Sequence, residues 1–237
     1  AAGPTLFPVL MAIPSVLLLA DSRLPSGGHA HSGGIEMAVT AGLVSDVDDL
    51  DLFLRGRIRT TGPVLAAFAA AGCLLAESHA DFAPWDRACS VRILSAGLRA
   101  ASRAQGGALL RTVSRIWDHP ALARLRALGR PHQPLVLGAA VAAGHGTAAD
   151  AAALAVHHLA GTACSAAIRL LGLDPLAVTS VQGGLSEVAA MATEIGLLAA
   201  ERAVAVGDPA GLPATGAVLP ELLAARHAQS EVTLFAS

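Results

Sequence analysis

"TAADAAALAVHHLAGTACSAAIRLLG", Thr147 to Gly172, decides the fold. Thr147 with Asp150 three residues on is a capping-box start, and Gly172 supplies the stop. Nearly everything between them is apolar. The exceptions, His158, Gly161, Thr162, Ser165 and Arg169, fall at spacings that put them on one stripe of a helix. Such a segment predicts a central helix, surrounded nearly all round.

Outward from it, long apolar runs with little alternation and Gly/Pro punctuation predict helices almost everywhere. The expected class is all-α, a single-domain helical bundle over 1–237 with a flexible N-terminal segment and a tail over 229–237. Ile13 to Ala20 reads as a short buried helix. Ser45 with Asp48 reads as a cap, and Leu50, Phe53, Leu54 and Ile58 mark one face until Gly62-Pro63. Pro63 then opens a second helix to about Glu77. Trp85 to about Trp117 reads as one helix with a soft spot at Gly106-Gly107. A short apolar helix ends at Gly144, Pro175 starts another, and Pro220 to His227 forms a last short one.

Composition excludes more than it selects. All 16 basic residues are arginine, so the chain cannot supply the lysine of a phosphate-loop nucleotidase, a pyridoxal enzyme or a protein kinase. The lack of tyrosine removes the phenol as an acid or nucleophile. A formal charge of -2 gives no electrostatic case for nucleic acid. The hydrophobic content of 54% and mean hydropathy of +0.58 imply burial in the protein's own core or in a partner. Pro4, Pro8 and Pro14 interrupt the uncharged leading stretch, and it lacks a basic leader, so neither a membrane span nor a signal peptide is expected. Cys73, Cys89 and Cys164, odd in number and in apolar surroundings, suit buried thiols in the cytosol.

The richest chemistry is in "DSRLPSGGHAHSGGIEMAV", Asp21 to Val39. His29 and His31 with Glu36 are residue types that bind zinc or nickel, which gives one reading, a metal-dependent hydrolase. The other is a glycine-rich turn with hydrogen-bonded histidines. Ser32 has no G-x-S-x-G elbow around it, and "GHGTAA" at Gly144 to Ala149 lacks the preceding strand that a dinucleotide fingerprint requires. Arg103, beside Gln105-Gly106-Gly107, suggests a close backbone approach with buried hydrogen bonds, and Arg169 suits the C-terminal turn of its helix.

"LPSGGHAHSGGIE", "SRAQGGALLR", "SAAIRLLGLD" and the terminal "LFAS" occur in an order that resembles the UreF family of urease accessory proteins, across essentially the whole chain. Leu24, Pro25, Gly27, Gly28, Ser32, Gly34 and Glu36 fall on the family's first motif. His29 stands where the family commonly has an aromatic residue, and Ala236 where it usually has arginine.

The resemblance implies a non-enzymatic, dimeric, all-α scaffold without a cofactor or metal of its own. Its implied partners are UreD (also called UreH), the GTPase UreG and the urease apoprotein, during nickel insertion. The first-motif residues, with Arg103, Gln105, Gly106, Arg169, Leu234 and Phe235, are the expected partner contacts. On this reading the glycine-rich loop lets a partner backbone approach while Ser32 and Glu36 supply polar contacts.

Overall fold

The computed structural model describes residues 6–27 and 32–216, the first six of them as backbone alone. Ten α-helices make up the bundle among these residues: α1 Leu6–Ala20, α2 Ile35–Thr40, α3 Val47–Ser78, α4 Ala83–Arg92, α5 Ala96–Val113, α6 Pro120–Ala127, α7 Gln133–Ala143, α8 Ala148–Leu171, α9 Pro175–Gly184 and α10 Ser186–Val206. A 3₁₀ turn, Pro209–Gly211, follows. No strand occurs among the described residues, and the all-α class is as expected.

The hub is α3, which packs against α7, α8 and α10. Its contacts are made backbone to backbone through small residues. A Cβ added at Gly72 would lie 2.6 Å from the Leu135 carbonyl oxygen, and one at Gly138 2.6 Å from the Cys73 nitrogen. Gly196 of α10 comes equally close to α3, 2.7 Å from the Ala67 nitrogen by the same measure. The alanine surplus therefore sets how near the helices approach, and the larger core side chains, Phe68, Phe82, Leu50 and Leu135 among them, fill the remaining gaps. By length and composition α3 and α8 are apolar enough to cross a membrane, yet 72% and 61% of their apolar windows are buried inside the bundle.

Several local expectations are corrected. Pro63 does not divide α3, which runs through it. An internal proline costs about 3 kcal/mol, a loss set here against burial of Gly62 and Pro63 in the α3–α10 contact. The cap of α3 is Asp46, whose side chain accepts from the Asp49 nitrogen at 2.9 Å, while the Ser45 hydroxyl donates to Asp49 at 2.8 Å. That is one residue later than the Ser45–Asp48 pairing.

The segment from Trp85 to Trp117 is two helices, broken at Ile93-Leu94-Ser95 and continuous through Gly106-Gly107. Ser95 caps the second by accepting from the Leu98 nitrogen. α1 begins before Ile13, contains Pro14, and leaves Ile13 53% and Leu17 64% exposed, so it is not a buried helix. The predicted helix over Pro220 to His227 lies outside the described residues.

For α8 the capping box is formed as read, with Asp150 N donating to Thr147 Oγ1 at 3.1 Å and Thr147 N to Asp150 Oδ2 at 2.8 Å. Gly172 ends it at φ 65°. The central position belongs to α3, because α8 keeps its polar stripe open.

Candidate functional site

The stripe on α8 forms the floor of a cleft. His158 and Thr162 line a cavity of about 190 Å³ on one side and a second of about 310 Å³ on the other. Gln105 of α5 and Gln133 of α7 line both, and Gly161, Ser165 and Arg169 continue the second toward α9. The first cavity has apolar walls, among them Val64, Leu65 and Leu98, and Arg57 and Arg92 also line it.

The glycine-rich segment roofs this cleft. The Thr112 hydroxyl donates to the Pro25 carbonyl at 2.8 Å, and a Cβ on Gly27 would meet the Ala108 side chain at 3.3 Å, so the segment docks on α5. Gly33 and Gly34 have φ of 62° and 84°, left-handed values that carry the chain into α2 over Arg57. Leu24, Ser32 and Glu36 are buried, at 7%, 1% and 8% exposure, as is Arg57 at 9%. Glu36 and Arg57 are both engaged in polar interactions, and the Arg57 guanidinium lies over the Phe53 ring at 5.9 Å. Ser32 and Glu36 were expected to supply polar contacts to a partner, and both are instead buried within the chain. Gly28, His29, His31, Leu234 and Phe235 lie outside the described residues. Among the described residues, no His, Cys, Asp and Glu side chains are grouped to hold a metal ion.

Arg103, Gln105 and Gly106 occupy one helix, and they separate there. Gln105 reaches the cleft, whereas Arg103 and Gly106 build a joint between α4, α5 and the start of α7. The Arg103 guanidinium donates to Asp86 Oδ2 at 2.9 Å, to Ser90 Oγ at 2.8 Å and to the Arg130 carbonyl. Asp86 Oδ1 accepts from the His132 nitrogen at 2.9 Å. The His132 ring, fully buried, lies between Ser90 and Ser102 at 2.8 and 3.0 Å. A neutral ring satisfies this pattern, with Ser90 donating to Nε2 and Nδ1–H donating to Ser102. Burial, with Arg103 adding to it, lowers the His132 pKa to about 4. At Gly106 an added Cβ would fall on the Pro131 carbonyl oxygen and 2.9 Å from the Gln133 nitrogen. The close approach read from the glycine is real, and it is made to the chain's own loop.

His158, in the cleft, is also held neutral: burial lowers its pKa to about 4, and Nε2–H donates to the Leu19 carbonyl at 2.9 Å. Arg169 is exposed on the last turn of α8, its Nε donating to the Ser165 carbonyl at 3.2 Å. All three cysteines are buried free thiols, and burial pushes Cys73 up to about 12 and Cys164 to about 11. None is poised as a nucleophile.

Sequence reasoning passed over Arg57, Arg92 and Gln133. Arg57 did carry a signal, a charge set on the apolar face of Leu50, Leu54 and Ile58. Arg92 carried none, because four of the five carbonyls it binds are more than a hundred residues away.

The described residues thus form an all-α bundle with a roofed, partly apolar cleft lined by polar groups of α5, α7 and α8. The family model described as UreF matches residues 44–186. The chain is 38% identical over 231 residues to the urease accessory protein UreF of Mycobacterium sp. (strain JLS), and 39% identical over 229 residues to that of Mycolicibacterium vanbaalenii. Each alignment covers 96% of this chain and all of the relative. The urease accessory protein UreF of Mycobacterium tuberculosis is 38% identical over 229 residues. The chain belongs to the UreF family of urease accessory proteins.

Proposed function

We propose that the protein is a cytoplasmic, non-enzymatic scaffold of urease maturation that binds UreD, recruits the GTPase UreG and thereby supports nickel insertion into apo-urease. The observation that carries this reading is the near full-length similarity to proteins named urease accessory protein UreF. The cleft supports it, since its open polar groups, Gln105, Thr162, Ser165 and Arg169, suit recognition of a partner's polar chain. The exposed apolar ridge of α10, with Met191 at 57%, Ile195 at 51% and Leu198 at 42%, supports association as a homodimer. Leu234 and Phe235 are proposed as apolar anchors for UreD.

The test is co-expression with the urease operon, with recovery of UreD and UreG on the tagged chain and measurement of urease activity and nickel content. Arg169→Ala is the informative variant, because surface substitutions cost within about 0.5 kcal/mol of stability. It should fold and yet lower urease activation several-fold. Deletion of residues 233–237 should weaken UreD recovery about tenfold, set by the burial of two large apolar side chains. Full activation with both variants would overturn the cleft and the tail as contact sites. Failure of the wild-type chain to recover UreD would overturn the scaffold reading itself.

A further inference from the structure

Polar side chains drawn into a fold are as a rule bonded to something within it. Three glutamines depart from that rule together. Gln105 of α5, Gln133 at the first position of α7 and Gln182 of α9 are each half-buried, and each lines the cleft of about 310 Å³. No hydrogen bond joins any of their carboxamides to another described residue. Gly161 keeps the α8 floor open beside them, since an added Cβ there would meet only Gln182 Nε2, at 3.8 Å.

We propose that this cleft binds the main chain of an extended, uncharged protein segment about three residues long, with the three carboxamides pairing its N–H and C=O groups and Gly161 admitting its close approach. The proposal rests on the reading of this cleft as a partner contact and names what the partner presents there. A carboxamide offers a donor and an acceptor from one neutral group, the same pair that a peptide unit offers in return. A phosphate or carboxylate ligand would call for an excess of cations in the lining, and a metal ion or an amine for an excess of acids. The lining has neither excess. It carries one acid, Asp21, and one guanidinium, Arg169, and Asp21 is paired with Arg23 at 2.6 Å. His158 is neutral and spends its Nε2–H on the Leu19 carbonyl. The floor between His158 and Ser165 is about 10 Å of helix, which matches about three residues of extended chain.

The experiment titrates a capped neutral tripeptide, N-acetyl-trialanine methylamide, into the isotopically labelled full-length chain and follows the glutamine side-chain amides by NMR. Gln→Leu variants at 105, 133 and 182 assign the three resonances by their loss. These resonances should shift together, with weak binding of about 1 mM for so short a probe. Gln133→Leu should weaken binding about fivefold. Gly161→Leu should abolish it, because its side chain enters the cleft without crowding the helix. The same peptide methylated on its backbone nitrogens keeps the carbonyls and loses the donors, and should bind the wild-type chain about tenfold more weakly.

Unmoved glutamine resonances under saturating peptide would overturn the proposal. So would equal binding of the N-methylated peptide, or binding unaltered by Gly161→Leu at an unchanged melting temperature. Equal shifts on adding acetate would make the cleft an anion site and overturn it as well. The titration uses the isolated chain, so its failure is told apart from failure to recover UreD, which overturns the scaffold reading and leaves the cleft to be decided by the peptide.

Discussion

The α5–α7 joint and the α8 cleft are built from the same residue types, arginine, histidine, serine and glycine, and they differ in where the hydrogen bonds go. In the joint, Arg103, Asp86, Ser90, Ser102 and His132 bond to one another and to the backbone of residues 130–132. In the cleft, Gln105, Thr162 and Ser165 line open space. A polar group spent inside the fold specifies geometry, and one facing a cleft remains available to a partner. Residue type alone therefore does not mark a binding site.

The sharpest way to break this comparison is at its glycines. Gly106→Ala should destabilise by roughly 2–4 kcal/mol, because the methyl overlaps the Pro131 carbonyl. Helix propensity alone favours alanine by about 1 kcal/mol. Gly106→Leu should not fold. Thermal and denaturant melts decide it, and an unchanged midpoint would place the 130–133 loop away from α5.

Next comes Asp86→Ala, which removes the carboxylate partner of the Arg103 guanidinium, leaving it Ser90 and the Arg130 carbonyl, and the acceptor of the His132 nitrogen. A loss of about 3 kcal/mol is expected. Denaturant unfolding at pH 7.5 measures it, and a loss near zero would make the network ornamental.

The third concerns pH and touches both regions. His132 and His158 each have a folded-state pKa of about 4, below the ordinary value of 6.5. The unfolded chain therefore takes up these protons first as pH falls. Stability is full above pH 6.5, declines between about 6.5 and 4, and levels below that as far as these groups are concerned. Each histidine accounts for roughly 3 kcal/mol. His158→Gln should remove about half of the slope, in urea melts run from pH 7.5 to 4, and an unaltered slope would remove His158 from this account.

The smallest effect has the opposite sign. Gly161 lies on the same kind of helix interior as Gly106, yet a Cβ there would meet only Gln182 at 3.8 Å. Gly161→Ala should stabilise by about 0.5–1 kcal/mol. Melting temperature reports it, and destabilisation would show that the cleft is narrower than its lining indicates.

Much of the fold was legible because helix formation is written locally. The capping box of α8, its stop at Gly172 and the start of α9 at Pro175 each depend on residues within four positions of one another. The polar stripe of α8 was legible for the same reason. The break between α4 and α5 was not, since Ile93-Leu94-Ser95 carries neither glycine nor proline, while Gly106-Gly107 carries two glycines and remains helical. The glycine signal was correct about a close approach and silent about what approached.

An all-helical class, the lack of the lysine that several catalytic classes require, and four motifs in the order of the UreF family were all readable from residue order alone. Packing, not residue order, buries Glu36 and Arg57, makes Arg103 close a joint while Gln105 opens on a cleft, and sets Arg92 against the turn that follows α10. The physical reason is separation along the chain. Capping and periodicity act over a turn of helix, whereas His132 reaches Asp86 across 46 residues and Arg92 reaches Pro213 across 121, and such contacts exist only once the helices have packed.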